Sequence, residues 1–172
     1  MTKLAMPKID RKLISKKKDI VIDLGKILKR ENILDHEDQT RPFETDALSA
    51  YKQKPLVVVF PENTKEVSKV LAYCNQKRIK VVPRGAGTGL SGGALPLADS
   101  LLLCLGKFNK IIDIDYKNRC VVTQPGVTNL SITKAVQDKG FYYAPDPSSQ
   151  IACSIGGNVA ENSGGVHSLK YG

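Results

Sequence analysis

Two stretches hold the residue types best suited to chemistry. The first is "PRGAGTGLSGG", in which Gly85, Gly87, Gly89, Gly92 and Gly93 alternate with Arg84, Ala86, Thr88, Leu90 and Ser91. Glycine lets a backbone approach a ligand closely, and successive N–H groups in such turns form concavities that hold anions. Thr88 and Ser91 add hydroxyl donors. The second stretch is "PDPSSQIACSIGGNVAENSGG", from Pro145 to Gly165. Ser148, Ser149 and Ser154 offer hydroxyls there, and Gly156, Gly157, Gly164 and Gly165 permit close approach. Asp146 precedes Pro147 and is held extended. No Lys or Arg lies between Gly140 and His167. Facing each other, two such loops suit a large, mostly uncharged ligand with a buried diphosphate better than free phosphate or nucleic acid.

The first stretch contains a formal G-x-G-x-x-G from Gly87 to Gly92. A dinucleotide fingerprint needs a strand before it and a helix after it, with the pyrophosphate on the helix N-terminus. The strand is there, but Pro96 and the strand-like "SLLLCL" follow instead of a helix. No G-K-[ST] closes the loop, which excludes a P-loop. The cradle is of another kind.

The elements that must position these loops read as follows. "LVVVF" (Leu56–Phe60) is a buried strand. Asn63 or Thr64 caps a helix, with Glu66 as the capping-box partner and Val67, Val70, Leu71 and Cys74 on one face. "IKVVP" (Ile79–Pro83) is a second strand and ends at the glycine loop. "SLLLCL" is a strand, and "KIIDIDYKNR" reads as a hairpin turning at Asp115, Lys117 and Asn118. "RCVVTQ" is a further strand. Thr128 caps a helix that Gly140 stops, and "FYYAP" (Phe141–Pro145) reads as a short strand leading into the second loop, "SIGGNVAENSGG". Ligands in α/β layers gather at the carboxyl ends of strands, where both loops fall.

The chain has 172 residues and a net charge of +9. Residues 1–30 hold ten Lys or Arg against three Asp, leaving sixteen basic and fourteen acidic groups for the remainder. The basic character therefore belongs to one segment. There, Leu13, Ile20, Leu24, Ile27, Leu28 and Leu34 take a helical spacing, which predicts one amphipathic helix with a solvated lysine face. No aromatic platform interleaves the charges, so nucleic acid is not an expected partner. The segment "ENILDHEDQTRPFETDALSAYKQKP" reads as a connector over the surface. The expected division is residues 1–38, helix and connector, and residues 39–172, the ligand-binding part. The four cysteines form no C-x-x-C and read as reduced thiols; His36 and His167 do not suggest a metal site. Lacking a secretory signal or a spanning apolar run, the chain is expected in the cytoplasm, with at most peripheral association with the inner face of a membrane.

"PRGAGTGLSGGALPL", with "PGV" and "YYAPDPSSQIACSIGGNVAENSGGVHSLKYG", resembles the PCMH-type FAD-binding domain of the vanillyl-alcohol-oxidase-like flavoproteins. Within that family it is most similar to the group of glycolate oxidase D subunits and D-lactate dehydrogenases. The resemblance implies an α+β fold: a small parallel β-α-β subdomain, then the start of a mixed or antiparallel second one, with FAD between them. It implies that Arg84, Gly85, Ala86, Gly87, Thr88, Gly89, Leu90, Ser91 and Gly92 wrap the diphosphate. Pro145, Asp146 and Ser149, with Cys153, Ser154, Ile155, Gly156, Gly157 and Asn158, would line the ribityl chain and flavin. Asn162, Gly164 and Gly165 would close the pocket. Ala86 to Gly89 contains no His or Cys, so the FAD would be non-covalent. The implied reaction oxidises a small 2-hydroxy acid, glycolate or D-lactate, to the 2-oxo acid. The implied partners are a second flavin-domain subunit and an iron–sulfur subunit. The expected base and carboxylate clamp would lie beyond Gly172, with His167 a weak local candidate. A truncated, non-catalytic FAD-binding half-domain stays open as the alternative.

Overall fold

The apolar, β-branched run after Pro55 becomes the centre of a four-stranded sheet in the computed structural model, which describes residues 7–171. The strands are β1 (Ile33–Leu34), β2 (Val57–Val59), β3 (Lys80–Arg84) and β4 (Ser100–Cys104), in the order β1-β2-β4-β3. β2 and β3 run parallel to β4, with Val58 and Val82 both opposite Leu102, and β1 pairs antiparallel with β2. Every residue of β2 and β4 is buried, as a central strand covered on both faces requires. β3 is the edge, which tolerates Pro83 because no neighbour needs its N–H.

Helix α4 (Thr64–Lys77) crosses from β2 to β3. Asn63 Oδ1 accepts from the Glu66 N–H at 3.0 Å, and Glu66 Oε2 accepts from the Glu62 N–H at 2.7 Å, so donors at the helix start are satisfied. Val70 and Cys74 are buried on the sheet and Val67 packs beside them. Leu71, expected on that face, is 43% exposed, because the sheet covers only the stripe through Val67, Val70 and Cys74. Burial pushes the Cys74 thiol up to about 11 and the Cys104 thiol up to about 12.

The single amphipathic helix expected at the N-terminus is instead two short ones, α1 (Arg11–Ser15) and α2 (Lys17–Leu24), broken at Lys16. Ile20, Leu24 and Leu28 enter the same core as Val57, Val59, Val70 and Leu101, while Lys12, Lys16 and Lys18 stay in solvent. Leu34 does not continue the helical stripe; it lies in β1. The connector expected on the surface also goes inward: β1, the turn of helix α3 (Glu37–Thr40) and the following residues bury Asn32, Thr40 and Asp46.

The second sheet is an antiparallel hairpin of β5 (Ile111–Asp115) and β6 (Cys120–Thr123). Asp115 Oδ1 accepts from the Asn118 N–H at 2.9 Å, as the turn residues predict. Thr128 caps α5 (Asn129–Val136), and Gly140 ends the following turn with φ +76°. The strand expected at Phe141–Pro145 does not form. Phe141, Tyr142 and Tyr143 instead line an apolar groove against the hairpin and α5, and the next bridge is Asp146 to Gly165. "SIGGNVAENSGG", expected as a loop, is largely helix α6 (Ile155–Glu161), because Ser154 caps it by accepting from the Gly157 N–H. A short α7 (Ser168–Tyr171) follows. Among the described residues no helix is long and apolar enough to cross a membrane, and no cluster of His, Cys, Asp or Glu could hold a metal ion.

Candidate functional site

β3 ends at Arg84 and delivers the glycine loop at the carboxyl end of the sheet. Among the described residues, no backbone N–H from Gly85 through Gly93 donates to another backbone group, so the loop presents a run of open donors. Arg84 holds its shape from beneath. Its Nη1 donates to Thr45 O at 2.8 Å and its guanidinium lies 5.7 Å from the Phe43 ring. Gly87 has φ +74°, and a Cβ there would collide with that guanidinium. The Ala47 N–H donates to Gly89 O at 3.1 Å, so the Phe43–Leu48 segment braces the loop from outside.

The facing wall comes from the second subdomain. The Ile155 N–H donates to Val127 O and the Gly156 N–H to Pro125 O, both at 2.8 Å, tying the start of α6 to the turn before α5. Asn158 is buried on the inner side, where its Nδ2 donates to Asn129 Oδ1 and to Cys153 Sγ. Asn129 Nδ2 in turn donates to Pro145 O at 3.0 Å, and Ser163 Oγ donates to Asn158 Oδ1 at 3.0 Å. This network fixes the wall's position relative to the chain that precedes and follows it.

Between the two walls lies a cleft of about 670 Å³, within the range of small-molecule and cofactor sites. Arg84 to Ser91 line one side, and Ser149, Ser154, Gly156, Gly157 and Asn158 line the other, with Ser148. The remaining sequence candidates lie outside the cleft lining. Gly92 makes a turn at φ +76°, Asn162 caps α6 at φ +52°, and Ile155 faces the apolar groove on the other side. Cys153 is buried at 2% exposure against Asn158. Pro145, Asp146, Gly164 and Gly165 form the support behind the wall. The Asp146 N–H donates to Gly164 O at 2.8 Å, and Gly165, at φ +79°, leaves room for the Asp146 backbone, which any Cβ would strike. Asp146 Oδ2 also pairs with His167 Nδ1 at 3.0 Å. Burial raises the Asp146 pKa, but His167 outweighs it and the net shift is downward.

Sequence reasoning missed Glu161, whose carboxylate lines the cleft beside Gly89. The signal was there only for a helix: with "IGGNVAE" helical, Gly157, Asn158 and Glu161 fall on one face. It also missed the bracing segment around Thr45 to Ala47.

Residues 55–172 match the FAD binding domain family. The chain belongs to that family. The chain is 51% identical, over 98% of its length, to the glycolate oxidase subunit GlcD of Escherichia coli K12. It is 36% identical, over 88% of this chain, to a D-lactate dehydrogenase of Anaerostipes hadrus. It spans about a third, 32%, of the length of each of these relatives. Its fold matches a solved alkyldihydroxyacetonephosphate synthase with TM-score 0.78 at 21% identity, covering 99% of this chain and 32% of that one. FAD is the cofactor of such a domain, and the cleft fits it: open backbone N–H donors for a diphosphate, serine and threonine hydroxyls, and glycines where side chains would fill the space.

Proposed function

We propose that this chain is the cofactor-holding part of an FAD-dependent oxidoreductase of small 2-hydroxy acids, glycolate or D-lactate. The observation that carries this reading is the run of open N–H donors from Gly85 to Ser91 facing α6 across a cleft. The names of the relatives supply the substrate class.

In this reading the Gly85–Ser91 backbone holds the diphosphate, Gly92 makes the turn that ends this run, and Arg84 keeps the loop in shape while placing one positive charge beside it. Ser149, Ser154 and the Gly156–Gly157 backbone hold the ribityl end. Asn158 and Cys153 fix the wall from behind, with Pro145, Asp146, Ile155, Asn162, Gly164 and Gly165 as its support. The bound FAD, held without a covalent bond, supplies the two-electron acceptor that turns the 2-hydroxy acid into a 2-oxo acid. Residues 39–172 form the cofactor-binding part in this proposal, and residues 1–38 the N-terminal element packed on it. Partners of the same proposal are a second flavin-domain subunit and an iron–sulfur subunit, with at most peripheral membrane association.

Titrating FAD into the purified full-length protein tests this. Stoichiometric binding with flavin absorbance, competed by ADP, is expected. A colourless protein that FAD does not titrate sinks the proposal. A narrower reading concerns the 172-residue chain by itself: among the described residues, its cleft lining offers no second Arg, no Lys and no His to clamp or deprotonate a carboxylate substrate. It would then bind FAD without turning over glycolate, and the same titration paired with a turnover assay separates the two.

A further inference from the structure

Glu161 ends α6 with its carboxylate laid over the glycine loop. A Cβ on Gly89 would stand 2.5 Å from its Oε1, and one on Gly93 3.7 Å away. Among the described residues, the polar contacts around α6 run through Asn158, Ser163 and the Asp146–His167 pair and leave Glu161 out. A negative charge in the last turn of a helix also opposes the helix dipole, so its charge does not serve the helix. It is the one carboxylate in the cleft lining among the described residues, and Arg84 is the one guanidinium.

An ionised carboxylate only accepts hydrogen bonds, whereas the loop's N–H groups only donate them. The cleft therefore has two polarities. Its donors suit the diphosphate of a flavin dinucleotide, and its single carboxylate suits the hydroxyls on either side of that diphosphate. We propose that Glu161 accepts hydrogen bonds from the ligand's ribityl or ribose hydroxyls and so sets the direction in which the dinucleotide lies. The loop's N–H groups keep the diphosphate, and the place beside Glu161, against Gly89 and Gly93, goes to the hydroxyl-bearing segment next to it. This inference rests on the FAD reading above.

The test measures FAD dissociation constants by flavin fluorescence in the full-length protein, for wild type, Glu161→Gln and Glu161→Ala. Glu161 is exposed, so both variants should keep the wild-type urea midpoint. Glu161→Ala should weaken FAD by about 10- to 100-fold, the worth of a hydrogen bond to a charged group. Glu161→Gln, which keeps one accepting oxygen, should lose less. Two analogues identify the hydroxyl: FAD without ribityl hydroxyls and FAD with deoxyribose in its adenosine half. With one of them, Glu161→Ala should cost nothing further. Binding of FAD by Glu161→Ala as tight as wild type, or tighter, overturns the inference, as does an equal loss for FAD and both analogues. Wild-type protein that fails to bind FAD overturns the FAD reading itself, a result distinguishable from either pattern.

Discussion

At the residue scale, two acidic groups fasten the N-terminal segment to the sheet, and their titration should be visible. Glu62, just past β2, accepts from Asn32 Nδ2 at 3.0 Å and Lys29 Nζ at 3.1 Å, and Lys107 joins the cluster by donating to Asn32 Oδ1. The hydrogen bonds from Asn32 and Lys29 hold its pKa down, to about 2 from the ordinary 4.5. Asp99, 1% exposed, is raised by burial, but Lys80 Nζ at 2.8 Å and the Asp10 N–H at 2.9 Å outweigh that and its pKa is lowered. A depressed folded pKa adds stability above the unfolded pKa and loses it as pH falls through the folded one. The melting temperature should therefore drop as pH falls from about 4.5 to about 2, and Glu62→Gln should flatten part of that slope. A Glu62→Gln profile that parallels wild type over this window would show that the cluster does not contribute.

At the element scale, α4 is the connection that turns β2 into a platform for the glycine loop, and its start is set by Asn63. The Asn63 side chain both accepts from the Glu66 N–H and donates to Glu66 Oε1 at 2.9 Å. Asn63→Ala should lower unfolding free energy by about 1 kcal/mol, seen as a smaller urea midpoint at unchanged m-value. A loss near zero would mean that Thr64 takes over the cap. The cap and the helix face were legible in the sequence because both depend on local spacing. The same logic reached α5 through Thr128 and Gly140. It failed at α6, where two adjacent glycines argued for a loop. Ser154 as cap and the anchoring of Ile155 and Gly156 on Val127 and Pro125 overcome the low helix propensity of Gly156 and Gly157.

At the scale of the whole molecule, the basic N-terminal segment is structural before it is anything else. Ile20, Leu24 and Leu28 close the core over β2, α4 and β4, and each is at most 4% exposed. Burying three such side chains is worth roughly 5–9 kcal/mol, comparable to the net stability of a domain. A variant lacking residues 1–30 should lose cooperative unfolding and bind hydrophobic dyes. A deletion variant that melts as sharply as the parent would reassign the segment to a peripheral role. The exposed Lys12, Lys16 and Lys18 then form the outer face of a packed element.

The sequence by itself determined the two glycine- and serine-rich stretches, the strands before the first, the absence of a helix after Gly92, and the family those residues resemble. All of these are local patterns, written in spacing, capping and turn chemistry over a few residues. Only the tertiary structure decided that β4 lies between β2 and β3, that the connector braces Gly89 and Arg84, and that Pro145 to Gly165 splits into cleft wall and support. It alone placed Glu161 over Gly89, although the two are far apart in the chain. These depend on which segments meet across the fold, and pairing over such separations leaves no periodicity in the sequence to read.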